Sequence, residues 1–237
     1  MGRFANQGAC AAETPDPACN DSSASVSPCF EGRINARSPQ SPFKLGFYGG
    51  TFDPVHIGHL VLAQSAREQL GLDGVLFVPT GQPAHKLSYC VASSEDRLAM
   101  LELAIEGHEG FDLSRIETGR PGVTYTIDTL RALKARYGDK VELYLVCGQD
   151  AAQDLPTWKD AAGIASLVTV AYTERGDLPG LSVSATKLPQ FVFRGFTMPR
   201  IDVSSSQLRD WMREGKSVSF LTPLSVERYM RERRLYV

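Results

Sequence analysis

Two histidines three residues apart, His56 and His59, lie in the run GGTFDPVHIGH over residues 49–59. Gly49 and Gly50 let the backbone come close to a ligand, because neither carries a Cβ. Thr51 and Phe52 continue the turn. A helix opening among the histidines would offer unpaired N–H groups and the positive end of its dipole to a phosphate. A separation of three puts both imidazoles on one face of that helix's first turn, and Gly58 between them leaves room for a nucleotide against the backbone. Each ring can donate to a phosphoryl oxygen, and either can carry a proton. A metal site and ordinary packing are the competing explanations. Zinc asks for further histidine, cysteine or carboxylate ligands at suitable spacing, while His85 and His108 are remote in sequence. The glycine-rich setting favours phosphate, and no resident metal is expected.

A second cluster, Val203-Ser204-Ser205-Ser206-Gln207-Leu208-Arg209, has the form of a helix start. Ser204 with Gln207 three residues on is a capping box. Leu208, Trp211 and Met212 would form the buried stripe, and Gly215 the stop. An ordinary helix N-terminus accounts for this pattern by itself. The chemical reading adds Ser205, Ser206 and Arg209, because hydroxyls, amides and a guanidinium at a positive helix end can hold a triphosphate. Gly148 and Asp150 follow a later apolar run. There Asp150 could accept from a ribose hydroxyl or cap a helix. Arg231, Arg233 and Arg234 read as a solvated helix end that complements its dipole.

These residues need a scaffold, and from Lys44 onward the pattern alternates strand and helix. Short apolar runs at 43–48, 74–78, 141–147 and 166–172 read as buried strands, with a last short one at 191–194. Helices are expected over 59–70, with Leu60, Ala63, Arg67 and Leu70 along one side and Gly71 as the stop, and over 95–106, with Leu98, Leu101, Ala104 and Ile105 on one face. A third is expected over 126–137, with Ile127, Leu130, Leu133 and Tyr137 in line. Residues 173–189 read as a long loop. The alternation predicts an α/β fold with a doubly wound, mostly parallel, Rossmann-like sheet. Ligands in such sheets bind beyond the carboxyl ends of the strands, so the chemistry belongs just after them.

Residues 1–42 differ from the rest: they are rich in Ser, Pro, Ala and Asn and show no period. The expected division is a disordered N-terminal extension over 1–42 and one catalytic domain over 43–237. The extension has no apolar signal-peptide core, and Glu13, Asp16, Asp21 and Glu31 are foreign to an organellar transit peptide. The formal net charge of −2 over 237 residues argues against broad nucleic-acid or membrane binding. No apolar run reaches the roughly 18 residues of a membrane span. The five cysteines, Cys10, Cys19, Cys29, Cys90 and Cys147, are irregularly spaced without a C-x-x-C pair, and read as free thiols in a reducing cytoplasm.

The H-x-G-H run followed by a late S-S-x-x-x-R helix resembles the marks of one nucleotidyltransferase superfamily. The wider set is similar to bacterial nicotinate-nucleotide adenylyltransferase. It comprises GGTFDPVHIGHL, then FVPTGQPAHK over residues 77–86, Tyr125-Thr126, Gly148-Gln149-Asp150 and Pro156-Thr157-Trp158. The resemblance runs from about Lys44 to the C-terminus. Ser206 stands where the family usually has Thr and keeps a hydroxyl; Ala84 replaces a common Pro, and Lys86 is kept.

The resemblance implies adenylyl transfer from ATP to nicotinate mononucleotide, giving deamido-NAD and pyrophosphate in NAD biosynthesis. It implies that His56, His59, Lys86 and Arg209 surround the transferring phosphate. Gly49, Gly50, Thr51, Phe52, Gly58, Gly148, Asp150, Ser204, Ser205 and Ser206 would bind ATP. Lys86, Tyr125, Thr126 and Trp158 would bind the mononucleotide, with Trp158 on the pyridine ring and Thr126 or nearby amides on its carboxylate. Plain packing for Trp158 and a plain helix cap for Thr126 are the alternatives. The acceptor's own phosphate is then the nucleophile, so in-line positioning and charge stabilisation carry the reaction. Mg²⁺ would ride on the ATP phosphates. A homo-oligomer is compatible with this reading. The rivals are nicotinamide-mononucleotide and phosphopantetheine adenylyltransferases of the same superfamily, and a non-catalytic nucleotide sensor. The HK loop and the PTW segment speak against phosphopantetheine. The sensor would not need both histidines, Lys86 and Arg209.

Overall fold

The computed structural model describes residues 27–83, 91–174 and 190–237. In chain order the elements are α1 (Pro28–Asn35), β1 (Phe43–Gly50), α2 (Ile57–Leu70), β2 (Gly74–Pro79), β3 (Gln82–Pro83), α3 (Ser94–Ile105), β4 (Phe111–Leu113) and β5 (Val123–Thr124). They continue with α4 (Thr126–Tyr137), β6 (Val141–Gly148), α5 (Gln149–Asp154), α6 (Ala161–Leu167), β7 (Val168–Glu174), β8 (Val192–Thr197), α7 (Ser205–Arg213) and α8 (Leu224–Glu232).

Six strands form one sheet in the order β4-β2-β1-β6-β7-β8, and every neighbouring pair is parallel. Strand order reverses between β1 and β6, so this is the expected doubly wound sheet, with its ligand crevice beyond Gly50 and Gly148. The strands are buried on both faces, which explains their continuous apolar runs. Their two-residue period still sorts the core. Leu45 and Phe47 of β1, Leu76 and Val78 of β2 and Leu143 and Leu145 of β6 join α1, α4, α5 and α6 on one side. Tyr48, Val75, Phe77, Tyr144 and Val146 join α2, α3, α7 and α8 on the other.

The long periodic helices lie close to expectation. Ile127, Leu130, Leu133 and Tyr137 are all buried on α4, and Leu98, Leu101, Ala104 and Ile105 on α3. Gly71 ends α2 in the left-handed region at φ 62°, where a residue without Cβ is unstrained. The expected side of α2 is displaced: Leu62, Ala63 and Ala66 are its buried residues, while Leu60 and Leu70 are only partly buried. The helix opens at Ile57 rather than 59, and its packing follows the sheet rather than the best apolar stripe. β7 keeps Thr173 and Glu174 that were expected in the loop, and β8 runs to Thr197. The rest of that loop, 175–189, lies outside the described residues.

The expected boundary at residue 42 needs correction. Residues 27–42 are described, and they are part of the domain. Helix α1 starts with Ser27 as N-cap and Pro28 in its first turn, and it inserts Phe30 and Ile34 into the core at 2% and 0% exposure. A Cβ on Gly74 would come within 2.4 Å of the Phe30 ring, so β2 is built around this helix. Arg33 donates to the carbonyls of Glu109 and Asp73. Residues 1–26 lie outside the described residues. No described helix is long and apolar enough to cross a membrane.

Candidate active site

The carbonyls from Thr51 to Val55 have no sheet or helix ladder to satisfy them, so other groups must do so. Side chains supply them in sequence. The Thr51 carbonyl accepts from Arg97 Nη1 at 2.9 Å, and the Asp53 carbonyl from Arg209 Nη1 at 2.7 Å. The Pro54 carbonyl accepts from Ser205 Oγ at 2.8 Å, and the Val55 carbonyl from Thr222 Oγ1 at 2.9 Å. The loop is thereby pinned to α3, to the start of α7 and to the segment before α8. Asp53 is itself buried at 2% exposure. Its carboxylate accepts from the amides of Val91 and Ala92 and from the Tyr236 hydroxyl.

This pinning fixes the two histidines. His56 is the N-cap of α2, and its N–H donates to His59 Nδ1 at 3.2 Å. The rings stack with centroids 3.7 Å apart, and Phe52 meets His59 edge-on at 5.1 Å. Gly58 has a specific reason to be glycine, because a Cβ there would lie 3.0 Å from His56 Nδ1. The space expected for a nucleotide is thus taken by the His56 imidazole. The helix start is also less open than a bare N-terminus. The Ile57 amide donates to the Leu221 carbonyl, and the His59 and Leu60 amides turn back to the His56 carbonyl. Among the described residues only the Gly58 amide of this turn keeps no acceptor.

Electrostatics corrects a second expectation, that either ring carries a proton. Burial pushes His56 down to about 4. Burial, and then the neighbouring His56, hold His59 well below the ordinary imidazole value. Both rings are neutral near pH 7. Since His59 Nδ1 accepts from a backbone amide, its proton sits on Nε2, which makes that atom a donor. His56 Nδ1 is buried without a partner among the described residues.

A cavity of about 390 Å³ opens at the reversal of strand order. Gly49, Gly50, Thr51, Phe52 and His59 line it together with Tyr125, Thr126 and Trp158. The cavity therefore unites residues expected to touch ATP with those expected to touch the mononucleotide. Tyr48, Thr80, Thr124, Lys159 and Ile164 also line it, and sequence reasoning missed them. Tyr125 is the N-cap of α4 and Thr126 its first residue.

The remaining candidates are not among the residues that line the cavity. His56 caps α2 and Gly58 lies on its first turn. Ser204 caps α7, its Oγ accepting from the Gln207 amide at 3.2 Å, while Ser205 and Arg209 face the loop as described. Ser206 Oγ accepts from Arg209 Nη2 at 3.1 Å. Gly148 is the N-cap of α5, and Asp150 lies exposed on its first turn. Lys86 falls outside the described residues. Among the described residues no group of three or more His, Cys, Asp or Glu is placed to hold a metal ion. Arg231 and Arg233 are not simply solvated: they pair with Glu227 and Asp96.

Missed residues differ in how visible they were. Arg97 lies one helical turn before Leu101 on an apolar face, a position that could have marked it as buried. Asp53 reads as a turn residue before proline, and nothing near Tyr236 announces a partner 183 positions away.

Residues 47–210 match the cytidylyltransferase-like family. A probable nicotinate-nucleotide adenylyltransferase of Halalkalibacterium halodurans is 43% identical, covering 81% of this chain and 91% of its own. One from Synechococcus sp. is 42% identical, covering 84% and 99%. A solved structure of Plasmodium falciparum nicotinic acid mononucleotide adenylyltransferase complexed with NaAD superposes with a TM-score of 0.67. It is 19% identical and covers 81% of this chain and 97% of its own, so it supports the fold alone. On these identities and coverages the chain belongs to the cytidylyltransferase-like family and, within it, to the nicotinate-nucleotide adenylyltransferases.

Proposed function

We propose that this protein transfers the adenylyl group of ATP to nicotinate mononucleotide. The observation that carries the reading is the single cavity shared by the Gly49–His59 turn and the Tyr125, Thr126 and Trp158 wall. An acceptor ring against the aromatic wall directs its phosphate toward the histidine end. There the acceptor phosphate oxygen forms a bond to the α-phosphorus of ATP as the bond to the β-phosphate oxygen breaks, and pyrophosphate leaves. No side-chain nucleophile is needed, so catalysis consists of alignment and stabilisation of charge on the transferring group.

His59 Nε2–H acts as a neutral donor to that group. The start of α7, with Ser204, Ser205, Ser206 and Arg209, holds the departing phosphates, and Lys86 adds a cation. Gly49, Gly50, Thr51, Phe52, Gly148 and Asp150 seat the nucleoside. Mg²⁺ enters on the ATP phosphates. The five cysteines are irregularly spaced without a C-x-x-C pair, as in proteins of a reducing compartment, and we place the reaction in the cytoplasm. The test is turnover with ATP and each of three acceptors: nicotinate mononucleotide, nicotinamide mononucleotide and phosphopantetheine. Nicotinate mononucleotide should be used most efficiently; a higher kcat/KM for either rival would reassign the enzyme.

A further inference from the structure

We infer that Lys159 is a specificity-determining residue that reads the charge of the substituent on the acceptor's pyridine ring. The inference rests on the proposed reaction and names a side chain of this chain for its acceptor choice. Lys159 lines the cavity beside Trp158 and Tyr125. Its Nζ stands 4.0 Å from the centre of the Tyr125 ring and 3.1 Å from Asp128 Oδ2 on the first turn of α4. Both members of this ion pair are about half exposed, 48% and 42% by side chain.

The position of the charge decides what it reads. The proposed reaction puts the transferring phosphate at His59, whereas Lys159 stands against Tyr125 and Asp128. A pyridine ring against Trp158 and Tyr125 then presents its ring substituent, not its phosphate, to Lys159. A carboxylate there gains a cation; a neutral carboxamide gains little from it. Lys159 also compensates Asp128, whose carboxylate would otherwise oppose an incoming anion at the start of α4. The cation is thus held in place by one carboxylate and available to a second.

Half-exposed pairs are weak, so the effect is modest: about 5-fold in discrimination. It is also screened, because the Debye length shrinks from about 10 Å at 0.1 M salt to about 3 Å at 1 M. Measure kcat/KM for nicotinate and nicotinamide mononucleotide, at low and high salt, in the wild type, Lys159→Met, Lys159→Arg and Asp128→Asn. Lys159→Met should lose about 5-fold on the nicotinate acceptor, leave the nicotinamide acceptor unchanged and lose much of the salt dependence of the ratio. Lys159→Arg should keep the preference, and Asp128→Asn should keep or raise it. An unchanged ratio in Lys159→Met overturns the inference alone. So does an equal loss on both acceptors, which would mean that Lys159 reads a group common to them. A wild type that treats the two acceptors alike overturns the acceptor assignment together with it.

Discussion

The Tyr236 hydroxyl donates to Asp53 Oδ1 at 2.6 Å, joining residues 183 positions apart in a buried site. Asp53 sits in the turn between β1 and α2, three residues before His56. Its carboxylate takes two amides from the segment leading into α3, and its carbonyl takes Arg209. One acidic residue therefore ties the turn before α2 to α3, α7 and the C-terminal segment. The geometry of the histidines depends on the far end of the chain.

Tyr236→Phe removes one donor from a buried carboxylate. The expected cost is about 1.5–3 kcal/mol of unfolding free energy, the usual value for a hydrogen bond to a charged group. Denaturant unfolding measures it. A change below a few tenths of a kcal/mol would mean that this contact does not hold the turn.

Gly58→Ala places a methyl group 3.0 Å from His56 Nδ1 and 3.1 Å from its Cε1. The imidazole must shift, and with it the stacked His59 ring. A misplacement of about 1 Å at a reacting site can cost roughly 10²-fold, so turnover should fall by about 10- to 100-fold. Far-ultraviolet circular dichroism should be unchanged, since alanine favours a helix over glycine. Full activity in this variant would remove the His56 contact from the explanation of the motif.

The two neutral histidines give stability a defined pH dependence. His56 titrates near 4 in the folded protein and near 6.5 when unfolded. Between these values the unfolded chain binds more protons than the folded one, so stability falls as pH falls from about 6.5 to about 4. For the buried His56 the loss across that window is on the order of 3 kcal/mol, and His59 adds in the same direction. Chemical denaturation at several pH values should show a shallower acid-side slope in His56→Gln than in the wild type. Equal slopes would mean that His56 is not held neutral by the fold.

Helix α1 belongs to the stability of the domain. Phe30→Ala should cost about 3–5 kcal/mol, the range for truncating a buried aromatic residue. A chain beginning at residue 41 loses both Phe30 and Ile34 and should unfold at markedly lower denaturant than the full chain. Coincident unfolding curves would place α1 outside the cooperative unit.

Much of this fold could be read from periodicity. Ile127, Leu130, Leu133 and Tyr137 repeat along 12 residues of α4, and β1, β2 and β6 are apolar enough for burial on both faces. Helix α1 escaped because only 8 residues form it. Its stability comes from Phe30 seated over Gly74 rather than from an apolar stripe. Its local signal was nevertheless present: Ser27 before Pro28, with Phe30 and Ile34 four apart. β4 has only 3 residues and β3 and β5 only 2 each, too few for a period to show. Of the residues that line the cavity, His59 was singled out from its own glycine-rich motif, whereas Tyr125 and Trp158 were singled out only through the family resemblance. Asp53 with Tyr236, and Lys159 over Tyr125, are relations made by folding. The neutral state of the histidines was likewise hidden, because desolvation is a property of the packed turn.

The proposed reaction is direct attack of the acceptor phosphate on the α-phosphorus, aligned by this cavity without a covalent enzyme intermediate. Exchange of labelled pyrophosphate into ATP tests it most directly, measured with the full chain and magnesium, with and without nicotinate mononucleotide. Exchange is expected only when the mononucleotide is present, because ATP is cleaved only by the acceptor. Exchange in its absence would reveal an adenylyl-enzyme and rule out direct attack, as would no exchange in its presence.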